Sequence, residues 1–217
     1  MIYNKETAHQ LASHLLQIKA IKLQPNNPFT WASGWKSPIY CDNRKTLSYP
    51  TVRNFIRQNL TAIVREEFEN VNIIVGVATG GIAHGVLIAQ ELGLPFAYVR
   101  SSAKEHGMQN MIEGEITEGQ KIVVVEDLVS TGKSSLNAVE ALKEKNVNVL
   151  GMVSIFDYGF DIAQENFKKA KCKLISLSDY DHLIEKALKE KYIQKSEIES
   201  LSAWRIHPAE WKNNVQA

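Results

Sequence analysis

The chain has 217 residues, enough to bury a core as one domain with extensions or as two small ones. An apolar share of 44% and a charged share of 23% are ordinary for a globular protein, and a net charge of +1 argues against nucleic acid or an anionic membrane as partner. The two cysteines, Cys41 and Cys172, form neither a metal-spaced pair nor a disulfide framework, which predicts a reducing, cytoplasmic setting.

The opening MIYNKETAHQ lacks a basic segment followed by an apolar run, so no signal peptide is expected, and no later apolar stretch reaches membrane-spanning length. Asn4 is placed to cap a first helix whose apolar face is Ala8, Leu11, Leu15 and Ile18. A turn-rich stretch from Gln24 to Tyr49 follows, holding Pro25, Pro28, Gly34 and Pro38. Pro50 then opens a long helix with Val52, Phe55, Ile56, Leu60, Ile63 and Val64 at helical spacing. From Asn72 onward, strands and helices alternate. NIIVGVA, PFAYVR, KIVVVE, VNVLGMVSIF and CKLISL read as strands; helices are predicted over Ile82–Leu92, Ser134–Lys145 and Asp161–Ala170. Two more helices, Asp181–Tyr192 and Ser196–Ala203, the latter with a capping box at Ser196 and Glu199, close the sequence. Such alternation predicts an α/β fold with a doubly wound, mainly parallel sheet, whose ligands bind outside the carboxyl ends of the strands.

One strand end stands out. In KIVVVEDLVSTGKSS, Lys121 to Ser135, a β-branched run without alternation ends in two adjacent carboxylates, Glu126 and Asp127. A hydroxyl- and glycine-rich turn, Ser130, Thr131 and Gly132, leads directly into a helix start able to aim N–H groups at an anion. Carboxylates for hydroxyls or a metal beside a donor-rich cradle suit a phosphorylated sugar. The same stretch is not a Walker A loop: the first glycine that motif requires would stand at Asp127, where a carboxylate would face the phosphates. Taken simply as structure, the stretch is a strand leading to a capped helix.

The stretch resembles the phosphoribosyl-pyrophosphate (PRPP) signature of type I phosphoribosyltransferases: a hydrophobic strand, two acids, two variable positions and a Ser/Thr-Thr/Ala-Gly turn. The resemblance places Glu126 and Asp127 on the ribose hydroxyls, directly or through Mg²⁺, with Asp127 counted as catalytic. It makes Leu128, Val129, Ser130, Thr131, Gly132, Lys133 and Ser134 the loop around the 5-phosphate, although Lys133 taken alone is an ordinary exposed lysine at a helix start. Mg²⁺, the implied cofactor, is held mainly through PRPP, with Glu126 and Asp127 as the protein's carboxylates.

Three further segments extend the likeness. GVATGGIAHG places Thr79, Gly80 and Gly81 where the family has its pyrophosphate loop, without the lysine that many members carry near Gly80. Between Tyr98 and Ile116 a long polar segment with no clear period reads as a solvated loop by composition. Its pattern of Arg100, Lys104, His106 and Gly107 resembles the mobile catalytic loop of orotate phosphoribosyltransferases. There the basic residues close over PRPP and pyrophosphate in the neighbouring subunit of a homodimer. The implied homodimer therefore shares loop 100–114, and Lys104 and His106 are the implied catalytic cations.

FTWASGWKSPIYCDNR, Phe29 to Arg44, is a packed aromatic turn with one solvated lysine on its own terms. It is similar to the N-terminal hood of orotate phosphoribosyltransferases, where backbone and lysine hold orotate; that assigns Lys36 to orotate and to the edge of PRPP, with Ser130 beside it. Cys41 is read as structural. Some relatives have an orotate-binding arginine after the fourth strand, where this chain has Phe156, Asp157, Tyr158 and Gly159. The resemblance implies one phosphoribosyltransferase domain over 1–217, with helix and hood in 1–50 and a helical extension in 178–217. It implies transfer of ribose 5-phosphate from PRPP to orotate in pyrimidine biosynthesis. A purine-base transferase, which should lack the hood, and a non-catalytic PRPP-sensing regulator, which would need a nucleic-acid surface, are the competing readings.

Overall fold

The computed structural model describes residues 1–31, 34–100 and 111–211. Helix α1 (Lys5–Gln17) starts as the sequence predicts: the Asn4 Oδ1 accepts the Thr7 N–H at 2.8 Å. Short strands β1 (Ile21–Leu23), β2 (Phe29–Thr30), β3 (Lys36–Ser37) and β4 (Ile39–Cys41) build the hood as two small antiparallel pairs, β1 with β4 and β2 with β3. A 3₁₀ turn (Asn43–Ser48) leads into α2 (Pro50–Glu67), where Pro50 occupies the first helical turn and needs no N–H partner.

The body follows as β5 (Ile73–Val77), α3 (Gly80–Leu92), β6 (Phe96–Val99), β7 (Ile112–Glu113), β8 (Lys121–Val129), α4 (Lys133–Lys143), β9 (Asn148–Asp157), α5 (Asp161–Lys169), β10 (Lys173–Asp179) and α6 (Tyr180–Lys189). The six strands run in the order β10-β9-β8-β5-β6-β7, all parallel except β7, which pairs antiparallel with β6 at the edge. That sixth strand lies inside the polar segment, where no strand was expected. It spans two residues, too few for a period to register.

Every residue of β5 is buried, because helices cover both faces of the sheet centre. Helix α2 packs on both α1 and α3, while α4 and α5 form a second contacting pair. Ile122, Val123, Val124 and Val125 of β8 are fully buried, and each contributes roughly 1.5–3 kcal/mol of apolar burial.

The C-terminus departs from the sequence reading. The capping box joins Gln194 and Glu197, not Ser196 and Glu199, because a 3₁₀ turn at Lys195–Glu197 precedes α7 (Ile198–Ile206) and shifts the cap two residues back. Among the described residues no helix is long and apolar enough to cross a membrane.

Candidate active site

Strand register creates the cleft. β8 pairs with β5 through Gly76 and Val125, and there the pairing stops; on its other side it stays paired with β9 as far as Val129 and Asp157. β5 turns away into α3 after Val77, so Glu126 and Asp127 lie on a strand whose β5 side has opened. This is the crevice expected outside the carboxyl ends of a parallel sheet. A cleft of about 420 Å³ occupies it, lined by Asp42, Arg44, Thr79, Gly80, Arg100, Asp127 and Ser134 among others.

Leu128 and Val129, assigned by sequence to the phosphate loop, belong to β8. They pair with Phe156 and Asp157, so the loop proper is Ser130, Thr131 and Gly132. The apolar character that identifies the strand simply resumes after the acid pair. Gly132 has φ near +75°, a left-handed conformation that turns the chain into α4, and a side chain there would meet Phe167 at 2.8 Å. No side chain caps α4, and Asn166 Nδ2 holds the loop by donating to the Thr131 carbonyl at 3.0 Å. Ser134 reaches the cleft, whereas Lys133 is exposed and absent from its lining.

The two acids differ. Glu126 is only 5% exposed, and each of its carboxyl oxygens has a protein donor: the Asp127 N–H at 3.0 Å and the Ser135 hydroxyl at 2.8 Å. Burial, then the charge of Asp127, pushes its pKa up to about 8. Burial also raises Asp127, opposed by its hydrogen bonding and by the positive charge of Arg44. Asp127 lies directly against the turn after β5: a Cβ on Gly80 would coincide with its carboxyl group. Gly81 is equally constrained by the Val125 carbonyl, so this turn contributes main chain to the site and no side chain at Gly80 or Gly81. The Ala78–Thr79 peptide, in the same turn, is cis.

A second, flatter pocket of about 310 Å³ adjoins the first, sharing Cys41 and Leu128 with it. Thr30, Trp31, Tyr40, Ser130 and Tyr158 complete its lining. Trp31 and Tyr158 rings lie 5.2 Å apart, and Trp31 Nε1 donates to the Ile39 carbonyl at 3.1 Å. Lys36 is at the rim: its Nζ donates to Thr30 Oγ1 at 2.8 Å and does not line either pocket. Cys41 is half-buried between the two compartments, with Sγ 3.4 Å from Asn43 Oδ1, and burial holds its thiol well above the ordinary range. Arg100 lines the acid cleft and donates to Glu113 at 3.4 Å. Lys104 and His106 lie outside the described residues.

Several contributors escaped the sequence reading. Asn43 donates its side-chain amide to the Asp127 carbonyl at 2.6 Å, and Thr46 Oγ1 lies 3.0 Å from Nε2 of buried His84. Burial lowers the His84 pKa to about 4, so this imidazole is a neutral tie between hood and α3. Trp204 of α7 is fully buried, stands edge-on to Trp31 with centroids 5.6 Å apart, and donates to the Lys36 carbonyl at 3.2 Å. The C-terminal extension thus braces the aromatic pocket. Sequence offers one signal for it, two tryptophans, Trp204 and Trp211, in a short C-terminal tail.

Residues 50–190 match the family model described as Phosphoribosyl transferase domain. The orotate phosphoribosyltransferase of Porphyromonas gingivalis is 56% identical over 201 residues, covering 93% of this chain and 96% of that protein. The chain belongs to the orotate phosphoribosyltransferase family. The Cytophaga hutchinsonii orotate phosphoribosyltransferase is 53% identical over 212 residues, covering 98% of this chain and all of its own length, hood and tail included. The crystal structure of orotate phosphoribosyltransferase from Aeropyrum pernix, 27% identical, matches with a TM-score of 0.74 over 85% of this chain and 99% of that one. The family reading and the fold reading made from sequence therefore both hold.

Proposed function

We propose that the protein transfers ribose 5-phosphate from PRPP to N1 of orotate, releasing pyrophosphate and orotidine 5-monophosphate. The observation that carries this is the contact between two unlike compartments, an acid-floored cleft and an aromatic pocket that share Leu128 and Cys41. A charged sugar fits the first and a planar base the second, which brings C1 of the ribose to their boundary.

In the reaction the C1–oxygen bond to pyrophosphate breaks as the C1–N1 bond forms, through a transition state with oxocarbenium character. The Asp127 carboxyl, at the cleft, holds the ribose hydroxyls; Glu126 sits behind it and fixes the Asp127 N–H and the start of α4. N–H groups from Ser130 to Ser134, with the hydroxyls of Ser130, Thr131 and Ser134, take the 5-phosphate. Thr79, Gly80 and Gly81 take the pyrophosphate. Arg100, with Lys104 and His106 from the segment after it, meets the negative charge that develops on pyrophosphate. Lys36 and Ser130 face orotate.

Among the described residues no cluster of three or more His, Cys, Asp or Glu side chains forms a metal cage. Asp127, with Glu126 behind it, would hold an Mg²⁺ ion brought in with PRPP. The chemistry such an ion would supply there is charge neutralisation for the leaving group. The working form is a cytoplasmic homodimer with loop 100–114 shared across the interface.

The test is incubation with PRPP and Mg²⁺ plus orotate, uracil or hypoxanthine in turn. Consumption of orotate alone is expected. Turnover of hypoxanthine would replace this reading with a purine-base transferase, and PRPP binding without turnover of any base would leave a sensor.

A further inference from the structure

The acid cleft has a charge imbalance in its wall. Its floor and rim carry the carboxyls of Asp42 and Asp127, and the turn at Gly80 and Gly81 has no room for any side chain, since each Cβ would collide with β8. A pyrophosphate group seated on that turn receives main-chain donors and faces carboxylates. Two described cations line the cleft, Arg44 and Arg100, and Arg100 is directed at Glu113.

Arg44 is differently placed. It comes from the 3₁₀ turn of the hood, and its Nε donates to Asp42 Oδ1 at 2.7 Å. Among the described residues the two terminal guanidinium nitrogens have no hydrogen-bond or ion-pair partner, and the side chain is 61% exposed at the cleft. Its main chain is anchored beside the site: Asp42 accepts the Arg44 N–H at 3.3 Å, and the preceding Asn43 is bonded to the Asp127 carbonyl. The guanidinium is near enough to Asp127 to favour ionisation of that carboxyl. A planar fork held at its Nε end and open at its terminal nitrogens suits two oxygens of one diphosphate.

We propose that Arg44 is a pyrophosphate-binding residue, the hood's cation on the cleft that the side-chain-free turn at Gly80 also lines. The proposal rests on the PRPP reading above. It gives the hood, besides base recognition and Lys36 at the edge of PRPP, a direct hold on the pyrophosphate. The hood would grip the donor's leaving group, so that one element senses both substrates.

The experiment measures binding of pyrophosphate with Mg²⁺ by calorimetry, alongside KM for PRPP and for orotate. For Arg44→Gln, pyrophosphate affinity and PRPP KM should worsen roughly 10- to 100-fold, with orotate KM and melting temperature close to wild type. Asp42→Asn separates a direct grip from an ion-pair role: removal of that carboxylate should tighten pyrophosphate or leave it unchanged. Equal weakening in Arg44→Gln and Asp42→Asn would overturn the proposal, as would unchanged pyrophosphate affinity in Arg44→Gln. Wild-type protein is the control for the underlying reading. Absence of PRPP binding in wild type defeats the PRPP assignment itself, whereas normal wild-type binding with an unaffected Arg44→Gln defeats only the role of Arg44.

Discussion

The side-chain amide of Asn43 donates to the main-chain carbonyl of Asp127 at 2.6 Å, tying the hood to the acid strand. One hydrogen bond therefore spans the element proposed to face the base and the element proposed to face the sugar. Removing it in Asn43→Ala leaves a part-buried carbonyl without its partner and should cost about 1–2 kcal/mol of stability. Thermal melting checks this, and PRPP KM should rise in the same variant. A variant that melts like wild type with unaltered PRPP KM would show that the bond positions nothing.

Gly80 cannot accept a methyl group without displacing the Asp127 carboxyl. Gly80→Ala should fold, since the displaced group is on the cleft, yet lose at least about 100-fold in kcat/KM through misplacement of the reacting sugar. Steady-state kinetics with circular dichroism decide it. Wild-type kinetics would mean that Asp127 is free to move and does not hold the ribose.

Glu126 gives a pH signature. Its pKa in the fold is raised from 4.5 to about 8, so between those values the folded protein holds a proton that the unfolded chain has released. The contribution to stability is therefore full at low pH and is lost as pH rises through that window. In the ligand-free protein, Glu126→Gln keeps an acceptor for the Asp127 N–H and a group for Ser135, and removes the titration. The melting temperature of wild type should fall relative to that of Glu126→Gln from about pH 5 to about pH 8. Parallel profiles for the two proteins would place the titration elsewhere.

Trp204 links the tail to the hood through Lys36. Trp204→Phe retains most of the ring packing and loses the N–H donor, for a stability cost of about 1 kcal/mol. Orotate KM should rise several-fold while PRPP KM stays near wild type. Equal effects on both substrates would make Trp204 a general core residue with no bias toward the base pocket.

What the sequence discloses follows the range of the interactions involved. Ile73–Val77 and Ile122–Val125 announce themselves because burial on both sheet faces replaces alternation with continuous apolar runs. The acid pair and Ser130–Gly132 are equally legible, being contiguous in the chain. Asn43 and Trp204 are not, since their partners lie 84 and 168 residues away and neither residue type points to a role without the fold. Arg44 was hidden for the same reason: its meaning depends on where the hood comes to rest. The unlike surroundings of Glu126 and Asp127 are less legible still. Adjacent acids look equivalent in a string, but both border the cleft while Glu126 is the more deeply buried of the two.

The hood meets the body through side-chain bonds that include those at Asn43, Thr46 and Trp204 and through buried Ile21 and Ile39, whereas β8 is paired with β5 and β9 at the middle of the sheet. These two parts have unequal resistance to local opening. A molecule whose hood has lifted would keep its sugar site while losing its base site, and water would then compete for the ribose carbon. On the proposed function the joints that hold the base site would also guard the donor against wasteful hydrolysis, and slow amide exchange in the hood should accompany a low rate of PRPP breakdown.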